Sequence, residues 1–485
     1  MWTPQIQNSS GPFFRAIVEA IRGDIAGGVL RPGERLPTHR ELAERLGVAR
    51  GTVMRAYAEA TAQRLISGRV GQGTVVAVPG SGAAGDDSED GGVSGRRELN
   101  HGRVLSPGVI ELSANRPLMA LDPDLREVLG RISTSGACGW LTRYTEIEGS
   151  ERHREAGAAW IRAWGVETQA GSVVLCGGAQ HATFVAVSSA VSAGGVIAVE
   201  EMTYPLIKTL AASLGLKVVG VKMDGEGMIP EALAAVCRRQ GVSAVYCIPT
   251  IQNPTGATMG EGRRMALVKV AREYDLAIIE DDIHRLYAPD VSVPLAALAP
   301  ERTMFIAATS KCVAGALRVA FLVVPERWQA AAVRQVSVSL WNVPPLMAEI
   351  FVRWLEDGTL ARTVDRKRRE ARERWALAEG VLSGAECGVD SGVELLGNRN
   401  GLSAWMVLPR RWTSDGFSSA MRQRGVLVSP DGLFRVGNEK VRRGGDDEAG
   451  AVRLSLSAPE TRHDLRRGLQ LVKSVLAGGD DAVVL

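Results

Sequence analysis

Met304-Phe305-Ile306-Ala307-Ala308-Thr309-Ser310-Lys311, with Arg318 seven residues past the lysine, decides how the larger part of this chain folds. A short apolar run that breaks at a Ser-Lys pair reads as a buried strand ending in a polar turn. The pattern recurs upstream. Val173-Val174-Leu175-Cys176 runs into Gly177-Gly178-Ala179-Gln180, and Val196-Ile197-Ala198-Val199 leads to Tyr204. Ala244-Val245-Tyr246-Cys247-Ile248 leads to Asn253-Pro254-Thr255-Gly256, and Leu276-Ala277-Ile278-Ile279 leads to Glu280-Asp281-Asp282. In open α/β sheets, ligands bind at the carboxyl ends of the strands. Residues far apart in the chain are therefore expected to converge on one site.

The chain has 485 residues, enough for two or three domains. With 45% hydrophobic and 23% charged residues, it has a globular composition. No apolar run reaches the ~18 residues of a membrane span. Met1-Trp2-Thr3-Pro4-Gln5 lacks the basic start of a secretory signal. Six cysteines (138, 176, 237, 247, 312 and 387) are scattered, without a Cys-x-x-Cys pair. Neither a disulfide framework nor a metal site is expected, and a reducing cytoplasm fits. The formal charge of +3 is unevenly placed: residues 1–78 carry ten Arg, no Lys and six Asp or Glu. A basic module joined to a nearly neutral remainder is the electrostatic footprint of nucleic-acid binding.

Within that basic module, Phe14, Ile17, Val18, Ile21 and Ile25 repeat at helical spacing over Phe13 to Ile25. A second helix begins at Thr38, where Thr38-x-x-Glu41 is a capping box, and turns at Gly47. A third runs from about Ala49 to Gln63, with Val53, Ala56, Tyr57 and Ala60 inward. Leu65-Ile66 and Thr74 to Val78, with Gly68, Gly71 and Gly73 between them, read as a β-hairpin wing. A helix-turn-helix sets the start of its second helix into the major groove. That selects Arg50 and Thr52, with Arg55 a turn later, and Arg40 on the preceding helix for a phosphate. The planar fork of Arg suits guanine edges and phosphates alike.

The strand-end residues each have a chemical use. Lys311 can form an imine with an aldehyde cofactor. Asp281 is placed to keep a pyridinium nitrogen protonated, which makes such a ring an electron sink. Asn253 can hydrogen-bond a ring hydroxyl oxygen. Gly178-Ala179-Gln180 opens a helix whose backbone N–H groups suit a phosphate, with Ser310 and Arg318 completing that site. Tyr204 is a candidate for contact near the ring. Singly, Asp281 and Asp282 read better as ordinary strand-end carboxylates, and Tyr204 and His284 nearly as well as packing residues; their joint order carries the argument.

Leu30-Arg31-Pro32-Gly33-Glu34-Arg35-Leu36-Pro37-Thr38-His39-Arg40-Glu41-Leu42-Ala43 and Gly47-Val48-Ala49-Arg50-Gly51-Thr52-Val53 resemble the GntR-type signature. The later residues look like the apparatus that holds pyridoxal 5′-phosphate (PLP) in fold type I enzymes. Together they resemble the GntR/MocR regulators, a winged helix fused to an aminotransferase-like domain. The resemblance implies that Arg453, in Val452-Arg453-Leu454, grips an effector carboxylate. It also implies that Tyr144 reaches the partner's cofactor in a homodimer. Three departures stand out. Ala49 replaces a Ser or Thr. Ile283 and His284 fall where a tyrosine usually donates to the ring hydroxyl, a donor role His284 could take. Ala316 replaces a glycine before Arg318.

The expected architecture is an α+β winged helix-turn-helix over 10–78 and a flexible linker over 79–107. An α/β PLP-dependent transferase fold follows over 108–475, with a small subdomain from about 356. A second polar stretch, Gly437 to Gly450, reads as a surface loop. The expected function is transcriptional regulation on double-stranded operator DNA, with PLP or an amino-acid-like effector sensed through a Schiff base on Lys311. An active aminotransferase carrying a DNA-binding domain is the alternative, and a cofactor-free scaffold a third reading, opposed by Lys311, Asp281, Asn253 and Arg318.

Overall fold

The computed structural model describes residues 2–4, 13–31, 33–62, 65–69, 73–76, 108–136, 138–382, 393–437 and 450–478. They belong to two compact units, Met1–Gly92 and Val93–Leu485. The expected linker, Gly71 of the wing and most of the polar stretch after Gly437 lie outside the described residues.

The first unit contains α1 (Phe13–Ala26), α2 (His39–Leu46), α3 (Arg50–Ala62) and a hairpin of β1 (Ile66–Arg69) and β2 (Gly73–Val76). The capping box forms: the Thr38 hydroxyl accepts from the Glu41 N–H, and the Glu41 carboxylate accepts from the Thr38 N–H at 2.8 Å. Gly47 ends α2 with φ +63°, a left-handed conformation that costs glycine little. Ile17, Val18 and Ile21 pack against Leu42, Val53, Ala56, Tyr57 and Ala60, and Ile66 and Val76 of the hairpin close the core. Phe14, Ile25 and Leu46 are only partly buried at its margin.

The second unit is built on a seven-stranded sheet. Its strands are β3 (Val173–Cys176), β4 (Val196–Glu200), β5 (Lys217–Val221), β6 (Val242–Cys247), β7 (Ala277–Asp281), β8 (Thr303–Ala308) and β9 (Ala320–Val323). They lie in the order β3-β9-β8-β7-β6-β4-β5, and β9 alone runs antiparallel to its neighbours. Alternate residues serve the two faces. Val174, Ile197, Tyr246, Ile279 and Ile306 face one apolar layer, which includes Ala182 and Val185 of α4 (Ala179–Ala190). Leu175, Phe305 and Phe321 face another, with Trp160 and Phe351. Burial on both faces explains why these strands read as nearly continuous apolar runs.

After the long helix Thr359–Leu382 comes a four-stranded antiparallel sheet of β10 (Glu394–Leu396), β11 (Ser403–Val407), β12 (Ser429–Pro430) and β13 (Ala451–Ser455), in the order β10-β11-β13-β12. Ile110–Glu111 pairs in parallel with Val426–Leu427, tying the start of this unit to its later part.

At the start of α3, the Thr52 N–H donates to the Ala49 carbonyl at 2.9 Å, but Ala49 brings no side-chain oxygen. Ala49→Ser is expected to stabilise this helix end by about 1 kcal/mol. Hydrogen-exchange mass spectrometry should then show exchange at residues 50–53 slowed about fivefold.

Candidate functional site

The carboxyl ends of β3, β4, β6, β7 and β8 open on a cavity of about 360 Å³. Its walls include Ala179, Gln180, Tyr204, Asn253, Asp281, His284, Ser310, Lys311 and Arg318, so the structure brings most of the expected site residues together. Gly178 lies directly behind that wall. It adopts φ +89° as the N-cap of α4, and a Cβ there would overlap the Arg318 guanidinium. Arg318 itself has φ +52° and donates to the Gly177 carbonyl at 3.3 Å. A guanidinium laid against a helix N-terminus makes a positive cradle shaped for a phosphate.

Asp281 caps β7 and is 4% exposed. Its Oδ2 accepts from the Tyr246 hydroxyl at 2.7 Å, while Oδ1 is buried with no hydrogen-bond partner among the described residues. Burial, assisted by Asp282, raises this carboxyl to about 6, against the opposing Tyr246 bond, the Ile283 backbone N–H and the Lys311 charge. An orphaned carboxylate oxygen at the cavity floor fits the protonated nitrogen of a pyridine ring. The Lys311 ammonium donates to the Asn115 carbonyl, which places its nitrogen in the same cavity. The donor set and the Gly178 cradle thus fit PLP.

Other assignments differ from expectation. Arg453 is 0% exposed and forms no part of the cavity wall. It donates to Asn253 Oδ1 at 2.6 Å and to the Ser113 carbonyl at 2.7 Å, with its guanidinium 4.7 Å from the Phe434 ring centre. In this conformation the expected carboxylate clamp is engaged by the protein's own oxygens. His284 lines the cavity, but its Nδ1 faces the Ile251 carbonyl at 3.2 Å, so the donor role expected of it is not the one its ring presents. Tyr144 is 90% exposed and outside the cavity.

Sequence reasoning missed Asn115 and Ser113, which act through backbone carbonyls and leave no motif. It also missed Tyr246, hidden in an apolar strand, and His181. The His181 Nδ1 accepts from the Gly177 N–H at 2.9 Å and its Nε2 lies 2.8 Å from the Ser339 hydroxyl. Those bonds fix the turn ahead of α4.

On the first unit, Arg50 is exposed and Thr52 half-buried at the start of α3. Arg40 pairs with Glu44 at 3.1 Å, both exposed, a contact weak enough for a phosphate to replace. Arg55 stacks over the Phe14 ring of α1 at 4.2 Å, about 140° around α3 from Arg50. Arg55 thus stands on a different face of α3 from Arg50 and is engaged by α1.

The fold and this cavity define a PLP-type transferase domain accompanied by a helix-turn-helix. Residues 107–471 match aminotransferase class I and II, and the chain belongs to that family. Residues 14–76 match the bacterial regulatory proteins of the gntR family. The chain is 28% identical over 484 residues to the uncharacterized HTH-type transcriptional regulator YdeF of Bacillus subtilis, covering 98% of this chain and 96% of that protein. It is 26% identical over 369 residues to the HTH-type pyridoxine biosynthesis transcriptional regulator PdxR of Corynebacterium glutamicum, covering 76% and 78%. In fold it is similar to LysN, the α-aminoadipate aminotransferase of Thermus thermophilus. That likeness has a TM-score of 0.68 at 23% identity and covers 80% of this chain and 95% of that one.

Gly178→Ala tests the cradle. The added methyl must displace Arg318 and strains a left-handed backbone, so PLP affinity measured by absorbance titration should fall about tenfold or more.

Proposed function

We propose that this chain is a PLP-dependent transcriptional regulator that binds operator DNA through its winged helix and senses PLP, or PLP with an amino-acid-like effector, in the Lys311 cavity. The observation that carries the reading is the coincidence of Lys311, the orphaned Asp281 oxygen and the Arg318–α4 cradle in one cavity, in a chain that also exposes Arg50 on a helix-turn-helix.

Bound PLP supplies an aldehyde that condenses with amines and a ring that withdraws electrons. The residues of the chain do the rest. Lys311 offers the amine that would hold the cofactor covalently. Asp281 would keep a proton on the ring nitrogen, and Tyr246 holds the carboxylate in place. Arg318, Ser310 and the N–H groups of Ala179 and Gln180 would bind the phosphate. The Asn253 loop and Tyr204, both on the cavity wall, would flank the ring.

Regulation then requires that the occupied cavity favour one DNA-binding state over another. A homodimer belongs to the same reading. It is supported by exposed Tyr144, Val338 and Trp341, and by Asn342 Nδ2 donating to the Thr145 hydroxyl at 3.2 Å, which links the two segments that carry them. An active aminotransferase remains the second reading, favoured by the intact Lys311–Asp281 pair and opposed by the engagement of Arg453. Absorbance during titration with amino acids separates the two. A band that shifts and persists marks a sensor, whereas one that bleaches and returns with a keto acid marks turnover.

Lys311→Ala is expected to leave a folded protein that neither holds PLP covalently nor answers the effector in a DNA-binding assay. A normal response from this variant would end the covalent-sensing reading. Arg50→Ala should cost about 1–3 kcal/mol of specific DNA binding without changing PLP uptake. Footprinting identical to wild type would remove Arg50 from the interface.

A further inference from the structure

His284 is 5% exposed, lines the cavity, and leaves its Nε2 without a hydrogen-bond partner among the described residues. Its Nδ1 lies 3.2 Å from the Ile251 carbonyl. A carbonyl only accepts, so Nδ1 carries the ring proton, and on a neutral imidazole that leaves Nε2 a bare lone pair. The neutral form is secured by the surroundings. Burial, then the positive charges of Lys311 and Arg453, push His284 down to about 3, with only the Ile251 bond opposing. Ile251 itself holds φ +52°, a left-handed conformation that is costly for a β-branched residue. The strained residue is the one whose carbonyl selects the imidazole tautomer.

A buried acceptor without a donor is unfavourable, so whatever fills the cavity gains by bringing a donor to Nε2. Asn253 narrows the choice. The Arg453 guanidinium can only donate, so the atom it meets at 2.6 Å is the amide oxygen, and the amide NH₂ of Asn253 is left as a donor. An amide donor and an imidazole acceptor on the walls of one cavity together describe a hydroxyl group, which accepts one bond and donates one. An oxyanion would satisfy Asn253 but would face the lone pair of His284.

We propose that His284 Nε2 accepts a hydrogen bond from the ring hydroxyl of bound PLP and so keeps the proton on that oxygen. The proposal rests on the cofactor reading above. It makes His284 a positioning residue that sets the tautomer of the bound ring, opposite in sense to a side chain that donates there. The hydroxyl form is the less extensively conjugated one and absorbs at shorter wavelength than the form with its proton on the lysine nitrogen.

The test compares PLP-loaded wild type with His284→Phe, which removes the acceptor, and His284→Tyr, which replaces it with a donor. The ratio of short- to long-wavelength absorbance should fall about fivefold in His284→Phe, the effect of one hydrogen bond of ordinary strength, and further in His284→Tyr. An equal ratio in all three proteins overturns the assignment while leaving the cofactor reading intact. If borohydride reduction and peptide mapping place no PLP on Lys311 in the wild type, the cofactor reading fails and this assignment with it. A second measurement reads the tautomer in the wild-type protein itself. In ¹⁵N-histidine-labelled wild type without PLP, the His284 resonances, identified by their loss in His284→Gln, should report a protonated Nδ1 and a bare Nε2. A protonated Nε2 overturns the proposal.

Discussion

The ion pair between Arg264 and Glu280, 3.5 Å apart with both side chains fully buried, is the constraint on which the cavity depends. Arg264 also donates to the Pro249 carbonyl, the Thr250 hydroxyl and the Met259 carbonyl. Glu280 accepts from the backbone N–H groups of Leu295 and Ala296. Burial raises the Glu280 carboxyl and Arg264 opposes that rise. Pairs of this kind gain little against an apolar replacement, but losing one partner costs about 3–5 kcal/mol. Here the return is positional. The pair joins both ends of the loop that carries Ile251 and Asn253 to the residue preceding Asp281. Glu200 works alongside it: its carboxylate accepts from Ile248 N–H and the Gln252 amide, and burial lifts it to about 8.

Much of this was legible in the sequence because it follows from periodicity. A parallel strand buried on both faces must be apolar until it ends, so the first polar residues mark the ligand edge. That reasoning placed Lys311, Asp281, Asn253 and the Gly178 turn in one cavity. The Thr38–Glu41 capping box was equally local and equally legible. What stayed hidden depends on partners distant in the chain. The position of Arg453 on β13 says nothing of whether its guanidinium reaches a cavity; Ser113, 340 residues away, decides that. The tautomer of His284 is set from Ile251, 33 residues upstream. Arg55 has the right spacing for a recognition helix, yet Phe14 on another helix engages it.

The two units express different physics. In the winged helix, Arg50 is exposed and Arg40 is held by an exposed pair with Glu44, which suits a partner that supplies the counter-charge. In the cavity, Asp281 and His284 are buried and braced by bonds to Tyr246 and Ile251, which suits a ligand whose atoms must sit in fixed places. Among the described residues no helix is long and apolar enough to cross a membrane.

One feature of the second unit reaches beyond the cavity. Ser113, Asn115 and Arg116 present their carbonyls to Arg453, Lys311 and the Ser457 hydroxyl. This short stretch therefore acts as a resident competitor for two of the cations a ligand would use. Occupancy and detachment become alternatives, and the apparent affinity of any ligand that claims those cations is discounted by the work of prising the stretch away. It begins five residues after Gly108, where the described part of this unit starts, and the chain before it leads back to the winged helix. Between that start and the stretch, Ile110–Glu111 is held against Val426–Leu427, so the competitor hangs from a fixed strand and works like a hinged latch over the cations.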